Sequence, residues 1–227
     1  MTEQQKHILG NFEKALQKLE DDLGQMSALV SRSLDCAVRG LLERDDSLCN
    51  QSIADDDEID NFEKQIDKDG MEVIVLFQPV AHDLRQVMSV MKVSANLERI
   101  GDQAGNIARR ARHLNKNAAI PETKLIEPVY RQAAVLLNDS IHAFRTGDME
   151  LAESISKRED ELDESYKEIS KKLTMKMEES KDRIKDYLDL VFVARFLERV
   201  GDHAENISED AIFVDSAVDV RHGGPNA

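Results

Sequence analysis

The sequence is poor in the residues that build disulfide frameworks and sheet cores. It has no tryptophan and four prolines, and aromatic residues make up 4% of the chain. The two cysteines, Cys36 and Cys49, form neither a metal motif nor a redox motif, and we expect both to be thiols in a reducing cytosol. Charged residues reach 33%. This composition favours long helices over sheets, because Glu, Lys, Ala, Leu, Met and Gln are good helix formers.

Long apolar runs are also missing from the sequence. None approaches the roughly 18 to 20 residues that span a bilayer, and the longest, 73–77 and 190–194, suit buried helical turns. The polar start of the chain, 1–7, lacks the apolar region of a signal peptide. Acidic residues outnumber basic ones, and the formal net charge is -15. This negative charge disfavours binding to nucleic acid and to anionic membrane surfaces. We therefore expect no nucleic-acid partner and no direct membrane insertion.

Prolines and capping residues divide the chain into helical segments. Proline breaks helix interiors, which places boundaries near Pro79 and at 115–121. Cap and turn residues at 45–47, 146–148 and 180–182 add three more. Together these signals predict six helices and a loose tail from about residue 215. The predicted helices are 3–44, 47–77, 80–115, 122–146, 148–179 and 182–214.

The sequence repeats itself with a shift of 100 residues. Leu97–Ile107 reads LERIGDQAGNI and Leu197–Ile207 reads LERVGDHAENI. In both segments apolar residues recur at steps of three and four, as in antiparallel helix bundles. The acidic segment 56–60 of the preceding helix recurs as 159–163. The repeat predicts an all-α protein of two tandem, pseudo-symmetric three-helix bundles. Their predicted bounds are 1–117 and 118–214, with the tail at 215–227.

Each predicted bundle carries two pairs of acids whose members are four residues apart and therefore share one side of a helix. Like charges at this spacing destabilise a helix by roughly a few tenths of a kcal/mol per pair, whereas a multivalent cation would bind to them. The oxygen-rich set predicts iron, manganese, magnesium or calcium as the ion, and zinc is compatible but not selected. The eight residues are Asp56, Asp60, Glu98, Asp102, Glu159, Asp163, Glu198 and Asp202.

The acids and their neighbours also have simpler interpretations. The chain has 45 acidic residues, so roughly nine such pairs arise by chance, and any one of them is explained by a solvated helix face. Gly101 and Gly201 each cost about 1 kcal/mol relative to alanine inside a helix. They provide either room beside the carboxylates or tight helix packing alone. Arg99 and Arg199 are interpreted as charge-balancing partners of nearby acids, and the basic run 109–113 as a complement to the dipole of its helix.

These motifs resemble those of the PhoU family of bacterial phosphate-signalling regulators. The resemblance covers essentially the whole chain, and the doubled E-R-[IV]-G-D is its specific part. The matching segments are Gln78-Pro79-x-Ala81-x-Asp83-Leu84-Arg85, Leu97-Glu98-Arg99-Ile100-Gly101-Asp102, Ala194-Arg195-x-x-Glu198-Arg199-Val200-Gly201-Asp202 with Asn206-Ile207, and the closing Val220-Arg221-His222.

The resemblance implies a fold, a site and a function. The fold is a pair of three-helix bundles. The site is a set of iron or zinc clusters bound by E/D-x-x-x-D motifs, which correspond here to the four acid pairs, with Asp56 in place of the longer Glu. Magnesium or manganese is an alternative. The function is non-enzymatic negative regulation of phosphate uptake and of the starvation response. The protein would be cytoplasmic and dimeric, and would bridge the phosphate ABC transporter ATPase and a phosphate-sensing histidine kinase.

Two other functions remain open from the residues. A carboxylate-rich metalloenzyme is one, although the sequence lacks histidine at ligand spacing, a general base beside the acid pairs and any nucleophile motif. A metal-free helical scaffold is the other, in which the acidic stripes serve solubility.

Overall fold

The computed structural model describes residues 3–220, with side chains from Gly10 onward, and the regular structure in this range is entirely helical. The six predicted helices are confirmed there as α1 Glu3–Leu42, α2 Asp46–Phe77, α3 Ala81–Asn115, α4 Ile126–Thr146, α5 Met149–Glu179 and α6 Ile184–Ser216. The starts of α4 and α6 were predicted too early, because a 3-10 helix precedes each of them. These turns are Pro121–Leu125 and Lys181–Arg183.

Local capping chemistry explains the starts of α2 and α5 and the end of α4. The carboxylate of Asp45 accepts a hydrogen bond from the backbone N–H of Ser47 at 2.7 Å, and that of Asp148 accepts from Leu151 at 3.0 Å. Gly147 ends α4 in the left-handed region, with φ at 68°. The third predicted cap is wrong in detail, since the side chain of Ser180 makes no capping hydrogen bond to the turn that follows it.

The helices pack as two three-helix bundles, α1–α3 and α4–α6, joined mainly by the contact of α3 with α6 and also by that of α1 with α4. The apolar seam predicted in α3 and α6 is buried, and Leu97 and Leu197 are both fully inaccessible to solvent. The all-α fold of paired bundles is therefore as predicted. Residues 217–220 follow α6 without helical structure, and the rest of the predicted tail, 221–227, lies outside the described residues. Within 3–220 no helix combines the length and apolarity that crossing a membrane requires.

The repeated glycines lie where two helices pack tightly against each other. A Cβ placed on Gly101 would come within 2.9 Å of Cδ1 of Ile59 in α2. One placed on Gly201 would come within 2.4 Å of Cδ2 of Leu162 in α5. Both aliphatic side chains are buried, so each glycine opposes the core of the neighbouring helix. The structure thus shows tight packing at both glycines, and this packing also sets the distance between the helices that carry the acids.

We expect Gly201→Ala to destabilise the protein by roughly 1 to 3 kcal/mol, because overpacking against Leu162 outweighs the helix-propensity gain of about 1 kcal/mol. Gly101→Ala should reduce the free energy of unfolding by less, because its added Cβ would lie 2.9 Å from Ile59, against 2.4 Å from Leu162 at Gly201. Gly10→Ala is the control, because no atom lies within 4 Å of a Cβ there, and it should stabilise slightly. Urea unfolding monitored by circular dichroism measures all three. An equal unfolding free energy for Gly201→Ala and Gly10→Ala would contradict the packing account.

Candidate metal centres

The predicted acids form two groups, one in each bundle. Packing of α2 on α3 brings Asp56, Asp60, Glu98 and Asp102 into one neighbourhood, which we name the first cluster. Packing of α5 on α6 does the same for the second cluster, which consists of Glu159, Asp163, Glu198 and Asp202. Each cluster therefore draws one acid pair from each of two antiparallel helices, as the repeat predicts.

Burial and mutual repulsion disfavour the charged forms in the first cluster. Burial raises the pKa of Asp56, and Asp102 on the facing helix raises it further. Burial likewise raises the pKa of Glu98, with repulsion from Asp102, from Glu63 and from Asp60 across the helix interface adding to it. The Oε2 atom of Glu98 is buried and has no hydrogen-bond partner, although it lies 3.3 Å from Nε of Arg99 in an ion pair.

The second cluster shows the same effects more strongly. Burial raises the pKa of Glu159 to about 7, and repulsion from Asp202, Glu205 and Asp163 contributes. Burial and Asp202 raise the pKa of Glu198, which is only 5% exposed. Oε1 of Glu159 and Oε2 of Glu198 are both buried without a hydrogen-bond partner among the described residues. A buried acceptor without a partner is costly, and a bound cation would satisfy it.

Basic side chains already balance part of this charge. Arg99 contacts Glu98 and Asp102, as the sequence predicted. The other ion pairs were not identified, although two of them follow the i, i+4 rule within one helix. They are Lys64–Asp60 at 3.2 Å, Lys167–Asp163 at 2.7 Å, Arg109–Asp56 at 3.3 Å, and Arg195–Glu198.

The basic run 109–113 does more than complement the helix dipole. Arg109 reaches α2, and Arg110 donates to the carboxylate of the buried Asp189 in α6 at 2.6 Å. His113 contacts the same carboxylate. The run therefore ties α3 to α2 and to α6, which the dipole interpretation did not include.

Two acids outside the predicted set also act on the clusters. Glu63 repels Glu98 in the first, and Glu205 repels Glu159 in the second. The repeat does not point to either, because their counterparts in the other half are Tyr166 and Gly105.

The donor set suits a hard cation, but it is not a ready-made coordination shell. Carboxylate oxygens dominate both clusters, and three of them are buried without hydrogen bonds. Among residues 3–220, however, no three His, Cys, Asp or Glu side chains converge closely enough to hold an ion. Binding would require carboxylate side chains to rotate toward one another. Metal binding by these residues stays a prediction.

Comparison with known proteins identifies the family of the chain. The family model described as PhoU domain matches the chain twice, over residues 23–111 and 126–211. The chain belongs to the PhoU family. The two matches fall on the two bundles, and each includes the paired helices that carry one cluster, so the family predicted from the doubled motif is confirmed.

Relatives and solved structures of the PhoU family cover nearly the whole chain. The phosphate-specific transport system accessory protein PhoU homolog of Pseudomonas putida is 35% identical over 219 residues, 96% of this chain and 86% of that protein. The PhoU homolog 1 of Thermotoga maritima is 30% identical over 212 residues, 93% of this chain and 91% of that protein. The crystal structure of PhoU from Pseudomonas aeruginosa superposes with a TM-score of 0.88 at 32% identity, covering 91% of this chain and 99% of that one. The phosphate transport system regulatory protein PhoU of Streptococcus pneumoniae gives 0.82 at 25% identity, covering 91% and 97%.

We expect Glu159→Gln to stabilise the metal-free protein at pH 8 but not at pH 4. The pKa of Glu159 is raised from 4.5 to about 7 in the folded state. The stability that this carboxyl contributes is therefore present below pH 4.5 and is lost as the pH rises through about 7. The glutamine variant does not titrate there and avoids that loss. Thermal unfolding in chelator at both pH values measures the difference.

Glu153→Gln is the matched control for this experiment, because Glu153 is exposed on the same helix. It should shift the unfolding temperature little at either pH. A stabilisation by Glu159→Gln that is equally large at pH 4 and pH 8 would mean that buried charge at Glu159 is not its cause.

Proposed function

We propose that this chain is a negative regulator of phosphate uptake and of the phosphate-starvation response. It acts as a metal-binding helical adaptor between the ATPase of a phosphate ABC transporter and a phosphate-sensing histidine kinase. The doubled PhoU domain is the observation that carries the proposal, together with relatives named as accessory proteins of phosphate-specific transport. We further propose a cytoplasmic homodimer without enzymatic activity. Two pseudo-equivalent bundles offer two related surfaces, which suits a protein that contacts two partners.

Metal ions are the second part of the proposal. The eight carboxylates of the two clusters would hold them, and iron or zinc is the expected identity, with magnesium or manganese as alternatives. The buried oxygens of Glu98, Glu159 and Glu198 that lack hydrogen bonds support this role. Each cluster spans two helices, so a bound cation would link α2 to α3 in one bundle and α5 to α6 in the other.

A metal-free helical scaffold is the competing function. It is favoured by the absence of three convergent ligands among residues 3–220 and by the basic side chains that already pair with the acids. In a scaffold the clusters would be neutralised by these cations and by proton uptake, and partner binding would not depend on metal.

The metal content of the purified protein separates these two functions. Protein purified without chelator should carry metal, and the double variant Asp102→Asn with Asp202→Asn should lose most of it, because one acid is neutralised in each cluster. Elemental analysis by mass spectrometry measures the metal-to-protein ratio. The control is Asp83→Asn with Asp215→Asn, which removes the same charge from exposed positions of the same two helices. A parent without metal, or an equal ratio in the two double variants, would favour the scaffold.

Capture of partners tests the regulatory part. We expect the nuclease-treated, immobilised protein to retain the transporter ATPase and the sensor kinase in a phosphate-dependent manner. If metal is needed for adaptor function, the Asp102/Asp202 double variant should retain less of both than the Asp83/Asp215 control. Quantitative immunoblotting of the eluted partners measures the outcome. Failure to retain either partner, at high and at low phosphate, would contradict the proposed regulation.

A further inference from the structure

We propose that the two carboxylate clusters are unequal cation sites, because Arg109 acts as a built-in counter-ion of the first cluster and divalent cations therefore bind the second cluster first. This inference rests on the metal binding proposed above. It adds an order of occupancy that the near-identical repeat does not predict.

The guanidinium of Arg109 bridges the two helices of the first cluster. Its Nη2 lies 3.3 Å from Oδ2 of Asp56 in α2, and its Nη1 donates to Oδ1 of Asn106 in α3 at 3.2 Å. It folds over Gly105, where a Cβ would lie only 3.3 Å from Nη1. Glycine at this position leaves room for the arginine to lie against its own helix and still reach Asp56. A cation entering the first cluster must therefore compete with Arg109 for that carboxylate.

The second cluster has acids at both equivalent positions. The same shift of 100 residues that relates Glu98 to Glu198 relates Gly105 to Glu205 and Arg109 to Glu209. The counterpart of Asp56 is Glu159, whose Oε1 is buried without a hydrogen-bond partner in the described part of the chain. Glu159 thus has an acid nearby where Asp56 has an arginine.

Two basic residues near the second cluster, Lys167 and Arg195, pair with acids of their own helix. Lys167 contacts Asp163 within α5, and Arg195 contacts Glu198 within α6. Both contacts lie within one helix. The contact of Arg109 with Asp56 differs, because it joins an arginine of α3 to a carboxylate of α2. The second cluster therefore keeps its inter-helix carboxylates available to an added cation.

Glu198 gives the second cluster an oxygen ready for a ligand role. The residue is 5% exposed, and its Oε2 has no hydrogen-bond partner among residues 3–220. In the first cluster the corresponding Oε2 of Glu98 also lacks a hydrogen-bond partner, but the side chain of Glu98 is more exposed, at 15% against 7% for Glu198. The clusters therefore differ in their charge balance, because Arg109 neutralises part of the first cluster and the position equivalent to it in the second is an acid. The less compensated negative charge favours cation binding in the second cluster.

Two double variants isolate the clusters for measurement. Glu98→Gln with Asp102→Asn leaves only the second cluster intact, and Glu198→Gln with Asp202→Asn leaves only the first. Mn²⁺ serves as the probe, because it prefers carboxylate ligands. Isothermal titration of each chelator-treated variant should show about tenfold tighter Mn²⁺ binding to the second cluster, the order expected for one added charge near a partly buried site. Circular dichroism confirms that each variant keeps its helical content.

Removing the arginine tests its role directly. In the variant that retains only the first cluster, Arg109→Gln should tighten Mn²⁺ binding by about tenfold. Arg112→Gln is the matched control, because it removes the same charge from an exposed position one turn away. A second measurement uses the otherwise unaltered chain. Equilibrium dialysis at a fixed free Mn²⁺ concentration should show more bound Mn²⁺ with Arg109→Gln than with Arg112→Gln.

The outcomes distinguish this inference from the proposed function. Equal affinities of the two clusters, or equal effects of Arg109→Gln and Arg112→Gln, would overturn the inequality and leave metal binding standing. Absence of Mn²⁺ binding to the parent chain would overturn both. Tighter binding to the first cluster would reverse the proposed order and overturn the inference alone.

Discussion

The close approach of α2 to α3 and of α5 to α6 is the constraint on which the rest of the structure depends. Gly101 lies against Ile59 and Gly201 against Leu162, so the paired helices share a buried apolar contact with no room for a further carbon. The acids that flank this contact cannot separate unless the helices do. The apolar packing thus holds carboxylates close together despite their electrostatic repulsion. The raised pKa of Glu159 and of Glu198 reflects this repulsion together with burial.

Three kinds of compensation are available to such a cluster: protonation, an internal cation or an added one. The first bundle relies on an internal cation, since Arg109 crosses to Asp56 over the space that Gly105 leaves. The second places Glu205 near Glu159 and keeps a carboxyl whose pKa reaches about 7. The two copies of the motif therefore share the same helix packing but differ in how their negative charge is compensated. A repeat in sequence predicts equal geometry, but it does not predict equal chemistry.

The limits of prediction from this sequence follow from the range of the interactions involved. Helix periodicity and caps such as Asp45 and Asp148 are local features, so the six helices could be predicted from the sequence. The repeat then predicted the paired bundles. The starts of α4 and α6 were misplaced, because residues compatible with α-helix form 3-10 turns there. Arg109 was assigned to the helix dipole, since its partner Asp56 lies 53 residues away and is reached only through the packing of α3 on α2. Glu63 escaped notice because the repeat does not duplicate it.

The helices that carry the repeated motif also join the two bundles, and this connects the clusters to the behaviour of the whole protein. Next to Arg109, which faces α2, Arg110 faces α6 and pairs with the buried Asp189. Lys92 of α3 pairs with Asp210 of α6 nearer the other end of the same contact. A cation that displaces Arg109 from Asp56 would act one residue away from this inter-bundle ion pair. Because buried pairs are sensitive to small displacements of either partner, occupancy of the first cluster and the packing of the bundles share a physical link. In the proposed adaptor, that link would let one ion affect the packing of both bundles.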